Sequence, residues 1–333
     1  MGNRFEGKVA VVTGSGRGIG RGVAKLLAEE GASVVVNDYG VAVDGTQPDS
    51  GPAQDVADEI TKAGGKAVAN YDTVATAQGG ENLIKQALDT YGRLDILINV
   101  AGILRDRMIF NMGEEEWDAV VDVHLKGHFN TIKPASIIMR QQRYGRIVNY
   151  SSISGLRGNP GQANYGAAKA GIAGLTRVVA RDLGRYGVTC NAISPGASTR
   201  MTATVPSRTA EMRARVAAGG QPPAPGATQG ASPIQAPPES SVPVLREPEY
   251  VAPMTVYLAS DHAWNINGKV IYASGGTIQL ASEETPYRSI FKPGLWTLDE
   301  LDQFVLPMME GVANPAPPPP DLAVAGRPAP AGA

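Results

Sequence analysis

The 333-residue chain has almost no cysteine: Cys190 stands alone, so no disulfide closes within it. Histidine is nearly as scarce, with three residues, and no ligand-spaced cluster accompanies them. No metal centre is therefore expected. No apolar run approaches the roughly eighteen residues a membrane span needs, so no membrane partner is expected. A basic excess is missing too: 30 basic residues face 32 acidic ones, for a net charge of −2. That balance argues against a nucleic-acid partner, which calls for a positive stripe. The opening MGNRFEGKVAVVTG lacks the charged-then-apolar pattern of an export signal. With a lone cysteine, this leads to the expectation of a cytoplasmic location.

Short β-branched runs recur at helix-length intervals: 8–13, 33–37, 66–70, 94–99, 145–151, 187–193 and 268–273. VAVV, SVVV and LDILIN are apolar throughout, as strands buried on both faces are. The alternation predicts an α/β fold, a single doubly wound parallel sheet of about seven strands with helices on both faces. One such domain is expected over 1–283. Two stretches break the pattern. A Pro-, Ala- and Gly-rich insertion at about 206–248, and a tail at 313–333 rich in Pro and Ala, have too little apolar surface to offset ordering entropy. Mobility is expected of the first and disorder of the second. Between them, 284–312 forms a C-terminal extension. Thr297 and Glu300 have capping-box spacing, and Leu298, Leu301, Phe304, Val305 and Met308 fall on one face. An amphipathic helix suited to docking is expected there.

The first strand runs into Thr13-Gly14-Ser15-Gly16-Arg17-Gly18-Ile19-Gly20 and then a helix. A strand, a glycine-rich turn and a helix start form an anion site, because backbone N–H groups and the helix dipole favour negative charge. Glycines also let a pyrophosphate approach the backbone closely. Asp38 ends the second strand, where a carboxylate can accept hydrogen bonds from an adenosine ribose and repels a 2′-phosphate. NAD is therefore expected over NADP, with Arg17 as the dissenting residue, since it can pair with that phosphate. Asp72 closes the third strand region, where a carboxylate can reach an adenine amino group, and for Asp38 a solvated strand-end acid is the alternative. Asn99, Ala101 and Gly102 follow the fourth strand. The small residues let the chain pass beside a cofactor, while Asn99 either ties strands together or contacts the ligand.

The stretch from Ser151 to Lys169 carries the reactive groups. Tyr165 and Lys169 are four apart at the start of a helical run, hence on one face. A lysine cation beside a phenol lowers the phenol's pKa, as a hydroxyl acting as a base near neutral pH requires. Ser152 lies thirteen residues before Tyr165 at a strand end, with Ser151 as its rival.

TGSGRGIG, NVAG, SS, YGAAK and SPG, in this order, resemble the marks of the short-chain dehydrogenase/reductase family. VVVNDYG, GKAVANYDTV, NVAGILRDRM, VHLKGHF and GQANYGAAKAG are similar to its (3R)-hydroxyacyl-CoA dehydrogenase branch, the unit found in peroxisomal multifunctional β-oxidation enzymes. The likeness covers roughly 4–205 and, less closely, 247–280. It implies a Rossmann fold with Tyr165 as acid/base, Ser152 polarising the substrate oxygen and Lys169 holding the nicotinamide ribose. It further implies Asp38 at the adenosine ribose, Asp72 and Thr73 at the adenine, Asn99 beside the cofactor, and Pro195 and Gly196 near the nicotinamide carboxamide. His124 stands where many members have an asparagine whose backbone carbonyl holds a proton-relay water; a packing role is the alternative. Ser154 is placed at the acyl pocket. The implied substrate is a CoA-linked 3-hydroxyacyl thioester, handled by a free-standing dehydrogenase that is a homodimer or homotetramer. Competing readings are an NADPH-dependent 3-oxoacyl thioester reductase, a hydroxysteroid or other secondary-alcohol dehydrogenase, and a nucleotide-sensing protein without catalysis.

Overall fold

Strand β1 (Val9–Thr13) is buried at every position, and its neighbours explain why. It pairs in parallel with β2 (Ser33–Asn37) on one side and β4 (Ile96–Asn99) on the other, at the middle of the sheet. Outside β2 lies β3 (Lys66–Asn70); outside β4 lie β5 (Gly145–Tyr150), β6 (Val188–Pro195), β7 (Val270–Ser274) and β8 (Thr277–Leu280). The computed structural model describes residues 2–47, 49–197 and 247–312. These divide into two compact units, one ending at Ser282 and the other beginning at Glu283. The expected insertion lies within 198–246 and the start of the 247–312 segment, so nearly all of it falls outside the described residues, as does the tail.

Because successive strand side chains point to opposite faces, each apolar strand feeds two cores. On one face Ala10, Val12, Val34, Val36, Ile96 and Ile98 pack with α1 (Gly18–Glu29), α2 (Gly51–Lys62) and α8 (Ala252–Leu258). On the other, Val9, Val11, Val35, Leu97 and Ile147 pack with α3 (Ala77–Tyr91), α5 (Gly127–Gln142) and α7 (Ala163–Gly184). Each buried Val, Leu or Ile side chain contributes about 1.5–3 kcal/mol. This is the expected sheet with helices on both faces.

One strand exceeds the expectation of a parallel sheet of about seven. β8 is an eighth, antiparallel to β7, with Thr277 paired to Ser274 across the Gly275-Gly276 turn. A two-residue glycine loop joins antiparallel neighbours without a crossover helix. Helix α4 (Glu114–Val121) enters α5 through a wider π turn, Asp122–Lys126. Short α6 (Ile153–Arg157) links β5 to α7. In the second unit α9 (Leu298–Met308) starts on the expected box: Thr297 accepts the Glu300 N–H, and the Glu300 carboxylate accepts the Thr297 N–H at 2.8 Å. No helix among the described residues is long and apolar enough to cross a membrane.

Candidate active site

The strand order reverses between β1 and β4, and the loops leaving the strands' carboxyl ends gather the candidate residues. Thr13 holds two of those loops together, its Oγ1 accepting the N–H of Val100 at 3.0 Å and of Ala101 at 3.2 Å. Gly14 has φ +60°, and a β-carbon there meets Ala101 Cα at 2.7 Å. A β-carbon on Gly20 collides with the Gly14 carbonyl. Ser15 is fully buried, donating to the Val12 carbonyl at 2.7 Å. Gly18 also has positive φ and opens α1, which has Arg17 as N-cap and no side-chain cap; Ile19 is buried beneath it. A glycine cradle at an uncapped helix start fits the pyrophosphate of a dinucleotide.

Asp38 braces this loop. Its Oδ2 accepts the Gly16 N–H at 2.8 Å and its Oδ1 the Gly40 N–H at 2.7 Å. Arg17 reaches the next loop, donating to the Val41 carbonyl at 3.4 Å. Asp72 accepts from Asn82 at 3.0 Å and Asn70 at 2.8 Å, and Thr73 accepts the Ala75 N–H at 3.3 Å. Asn99 ties strands together: its amide donates to Asn149 Oδ1 at 3.0 Å and accepts from Thr131 at 2.8 Å. Gly196, following Pro195 at the end of β6, donates to the Ala273 carbonyl at 2.9 Å and accepts from Ser274 at 2.6 Å.

Ser151 and Ser152 separate cleanly. Ser151 is buried and donates to the Lys169 carbonyl at 2.9 Å. Ser152 caps α6, accepting the Ser154 N–H at 3.2 Å, and its hydroxyl lies near enough to Tyr165 to lower the phenol's pKa. Burial pushes the Tyr165 phenol up to about 12; the Ser152 bond opposes the rise and the Asp106 charge adds to it. The net effect is a rise, where the sequence expectation was a lowering by Lys169. Its ammonium donates to the Tyr150 carbonyl at 2.6 Å and lies 5.5 Å from the Tyr165 ring centre. Buried with that one polar partner, Lys169 is itself pulled down to about 7.

His124 stands edge-on to Tyr165 at 5.1 Å, with its ring against Gly102, where a β-carbon would collide. Its Nε2 lies 2.8 Å from the Ile103 carbonyl, and its Nδ1 is buried without a partner. Burial, then the Lys169 charge, hold its pKa well below the usual value. The His124 carbonyl accepts the His128 Nδ1 hydrogen at 2.6 Å, and His128 Nε2 faces the Tyr150 N–H at 3.4 Å. His128, Thr13, Asp106 and Gln162 were not singled out from the sequence. A polar residue three before Tyr165 was a visible signal for Gln162, whereas the others acquire meaning only when distant loops meet.

A model of the family described as short chain dehydrogenase matches residues 8–210. The chain is 41% identical over 282 residues to peroxisomal multifunctional enzyme type 2 of Mus musculus, covering 85% of this chain and 34% of that protein. It thus spans about a third of that relative's length. To hydroxyacyl-CoA dehydrogenase ChsB1 of Mycobacterium tuberculosis it is 42% identical over 290 residues, covering 84% of this chain and 80% of the relative. The crystal structure of a short chain dehydrogenase from Mycobacterium avium superposes with a TM-score of 0.75 at 41% identity, covering 94% of this chain and 98% of that one. The chain belongs to the short-chain dehydrogenase family. It is an oxidoreductase acting on CH–OH groups, in a family that uses a nicotinamide nucleotide.

Proposed function

We propose that the chain is an NAD-dependent dehydrogenase interconverting a (3R)-hydroxyacyl-CoA and the 3-oxoacyl-CoA. The observation that carries this reading is the meeting of the Ser152 and Tyr165 hydroxyls beside buried Lys169 at the carboxyl edge of the sheet. Tyr165, as phenolate, takes the proton of the substrate hydroxyl, and returns it in the reverse direction. Ser152 donates a hydrogen bond to the same oxygen and steadies the charge that develops there. The bound nicotinamide supplies the hydride acceptor and a cation that favours the phenolate. Lys169 has three hydrogens to donate; one holds the Tyr150 carbonyl, and the others suit the nicotinamide ribose hydroxyls.

The glycine loop Gly14, Ser15, Arg17, Gly18, Ile19 and Gly20 holds the pyrophosphate in this reading. Asp72 and Thr73 lie by the adenine, Asn99, Ala101 and Gly102 beside the cofactor, and Pro195 and Gly196 near the carboxamide. Asp38 uses one lone pair on each oxygen for backbone amides. The remaining lone pairs suit ribose hydroxyls, and its charge repels a 2′-phosphate. His124 packs edge-on to Tyr165, and its backbone carbonyl serves a proton relay only if a water displaces His128 Nδ1. The acyl-CoA substrate follows the likeness to the hydroxyacyl-CoA dehydrogenase of Mycobacterium tuberculosis. A cytoplasmic homodimer or homotetramer completes the proposal.

The test follows nicotinamide reduction with (3R)- and (3S)-hydroxyacyl-CoAs of rising chain length, with NAD and NADP in parallel. Turnover of the R series with NAD is expected. Reaction with free secondary alcohols alone would remove the thioester, and a preference for NADP would show that Arg17 outweighs Asp38.

A further inference from the structure

The chemistry proposed above leaves two polar side chains without a role, Asp106 in the loop after β4 and Gln162 at the start of α7. Gln162 is buried. Its Nε2 donates to Asp106 Oδ2 at 2.8 Å, while its Oε1 accepts from Ser154 Oγ at 2.8 Å and from Asn159 Nδ2 at 3.0 Å. These partners settle which way the amide points: nitrogen to the carboxylate, oxygen to two donors. Ser154 in turn gives its N–H to Ser152 Oγ, beside Tyr165. Hydrogen bonds, carried through the backbone of Ser154, thus link Asp106 to the Ser152 hydroxyl. Beside it the Arg107 N–H donates to the Gly161 carbonyl at 2.9 Å, so the loop after β4 is fastened to the α6–α7 connection at two adjacent points.

Two features set this linkage apart from an ordinary loop contact. First, α6 is five residues long, and a helix that short has no stability of its own. The direction of its cap residue, Ser152, is set by whatever anchors it. Second, the anchor is an expensive one. Burial raises the Asp106 pKa, its named partner is a neutral amide, and its Oδ1 is buried with none. A contact selected for stability alone would avoid a carboxylate here. A charged acceptor does give the stronger hydrogen bond, and it polarises Gln162 so that Oε1 grips Ser154 more firmly.

We propose that Asp106 and Gln162 are positioning residues for Ser152, acting through Ser154. They hold the Ser154 N–H on one lone pair of Ser152 and so direct its hydroxyl hydrogen to the substrate oxygen. The inference rests on the role given to Ser152 above, and a double-mutant cycle keeps the two apart. Gln162→Leu, Ser152→Ala and the pair together are assayed for kcat, KM, NAD affinity and thermal midpoint. Gln162→Leu is expected to lower kcat about ten- to a hundredfold with NAD affinity near wild type, and to lower the midpoint because Asp106 loses its amide partner. Added to Ser152→Ala, it costs no further kcat, because the group it positions is already gone. Losses that multiply, or a Gln162→Leu enzyme with wild-type kcat, overturn the proposal. A Ser152→Ala enzyme with wild-type kcat overturns the Ser152 role and the positioning with it. An exchange variant decides independently if Gln162→Leu does not fold. Gln162→Glu alone sets two carboxylates together and loses kcat, whereas Gln162→Glu with Asp106→Asn swaps donor for acceptor and restores it. Failure to restore overturns the proposal.

Discussion

Lys169 illustrates how a side chain's chemistry departs from its spacing. Four residues from Tyr165 on α7, it sits where a cation would activate the phenol, yet burial against the Tyr150 carbonyl brings it down to about 7. Unfolded, it titrates near the ordinary lysine value of 10.5. Between those values the unfolded chain binds the proton that the folded chain has released, so stability rises with pH across that window. The burial penalty is largest at and below pH 7 and fades towards 10.5. Without cofactor, Lys169→Met is therefore expected to raise the thermal midpoint at pH 7 by roughly 2–6 °C, with the gain shrinking towards pH 10. Calorimetry at several pH values checks this. The pairing of Tyr165 with Lys169 was legible in the sequence. Its electrostatics were not, because desolvation depends on the sheet and helices that close over the lysine. Spacing favours Ser152 over Ser151, and in the structure Ser151 donates to the Lys169 carbonyl, a contact that spacing does not reveal.

At the scale of elements, the seven parallel strands were legible because β1, β2 and β4 carry uninterrupted apolar runs and the rest recur at helix-length intervals. β8 was not: it is four residues long and alternates exposed with half-buried positions at the sheet's edge. Nor was the π turn between α4 and α5, since one extra residue in a helical turn leaves no periodic signature. That turn presents the His124 carbonyl to His128 Nδ1 and makes the junction acid-sensitive. Burial, then the Lys169 charge, bring His128 down to about 3, against 6.5 for the ordinary side chain. The unfolded chain binds the extra proton between those values. The stability contributed by neutral His128 is complete above pH 6.5 and is lost as pH falls towards 3. His128→Gln, which keeps an N–H donor but does not titrate, is expected to flatten the decline in urea stability between about pH 6 and 4. An unchanged slope would show that other groups govern acid unfolding.

Across the whole molecule, the apolar residues left on the surface bear on the expected homo-oligomer. Phe129 and Ile137 on α5 and Val178 on α7 are 51%, 46% and 56% exposed, although both helices otherwise bury apolar faces in the core. Apolar residues exposed on the helices flanking β5 suit a self-complementary interface. Sedimentation is expected to find a dimer or tetramer, and Phe129→Asp with Val178→Asp to release monomers that still bind NAD. A wild-type monomer would remove oligomerisation from the proposal. The class of enzyme was legible from the order of motifs along the chain, whereas the acyl group was not, because the Pro-rich stretch at about 206–248 carries no pattern that chemistry can interpret.

The central claim is that Tyr165 moves the proton in a reaction for which the rest of the site holds NAD and substrate. The direct test compares wild type with Tyr165→Phe, measuring single-turnover oxidation of a (3R)-hydroxyacyl-CoA together with calorimetric NAD affinity. Loss of the phenolic hydroxyl is expected to slow turnover by about a thousandfold while NAD affinity stays within a factor of about two. A Tyr165→Phe protein that turns over at the wild-type rate, or a wild type that binds NAD and oxidises no 3-hydroxyacyl thioester, would contradict it.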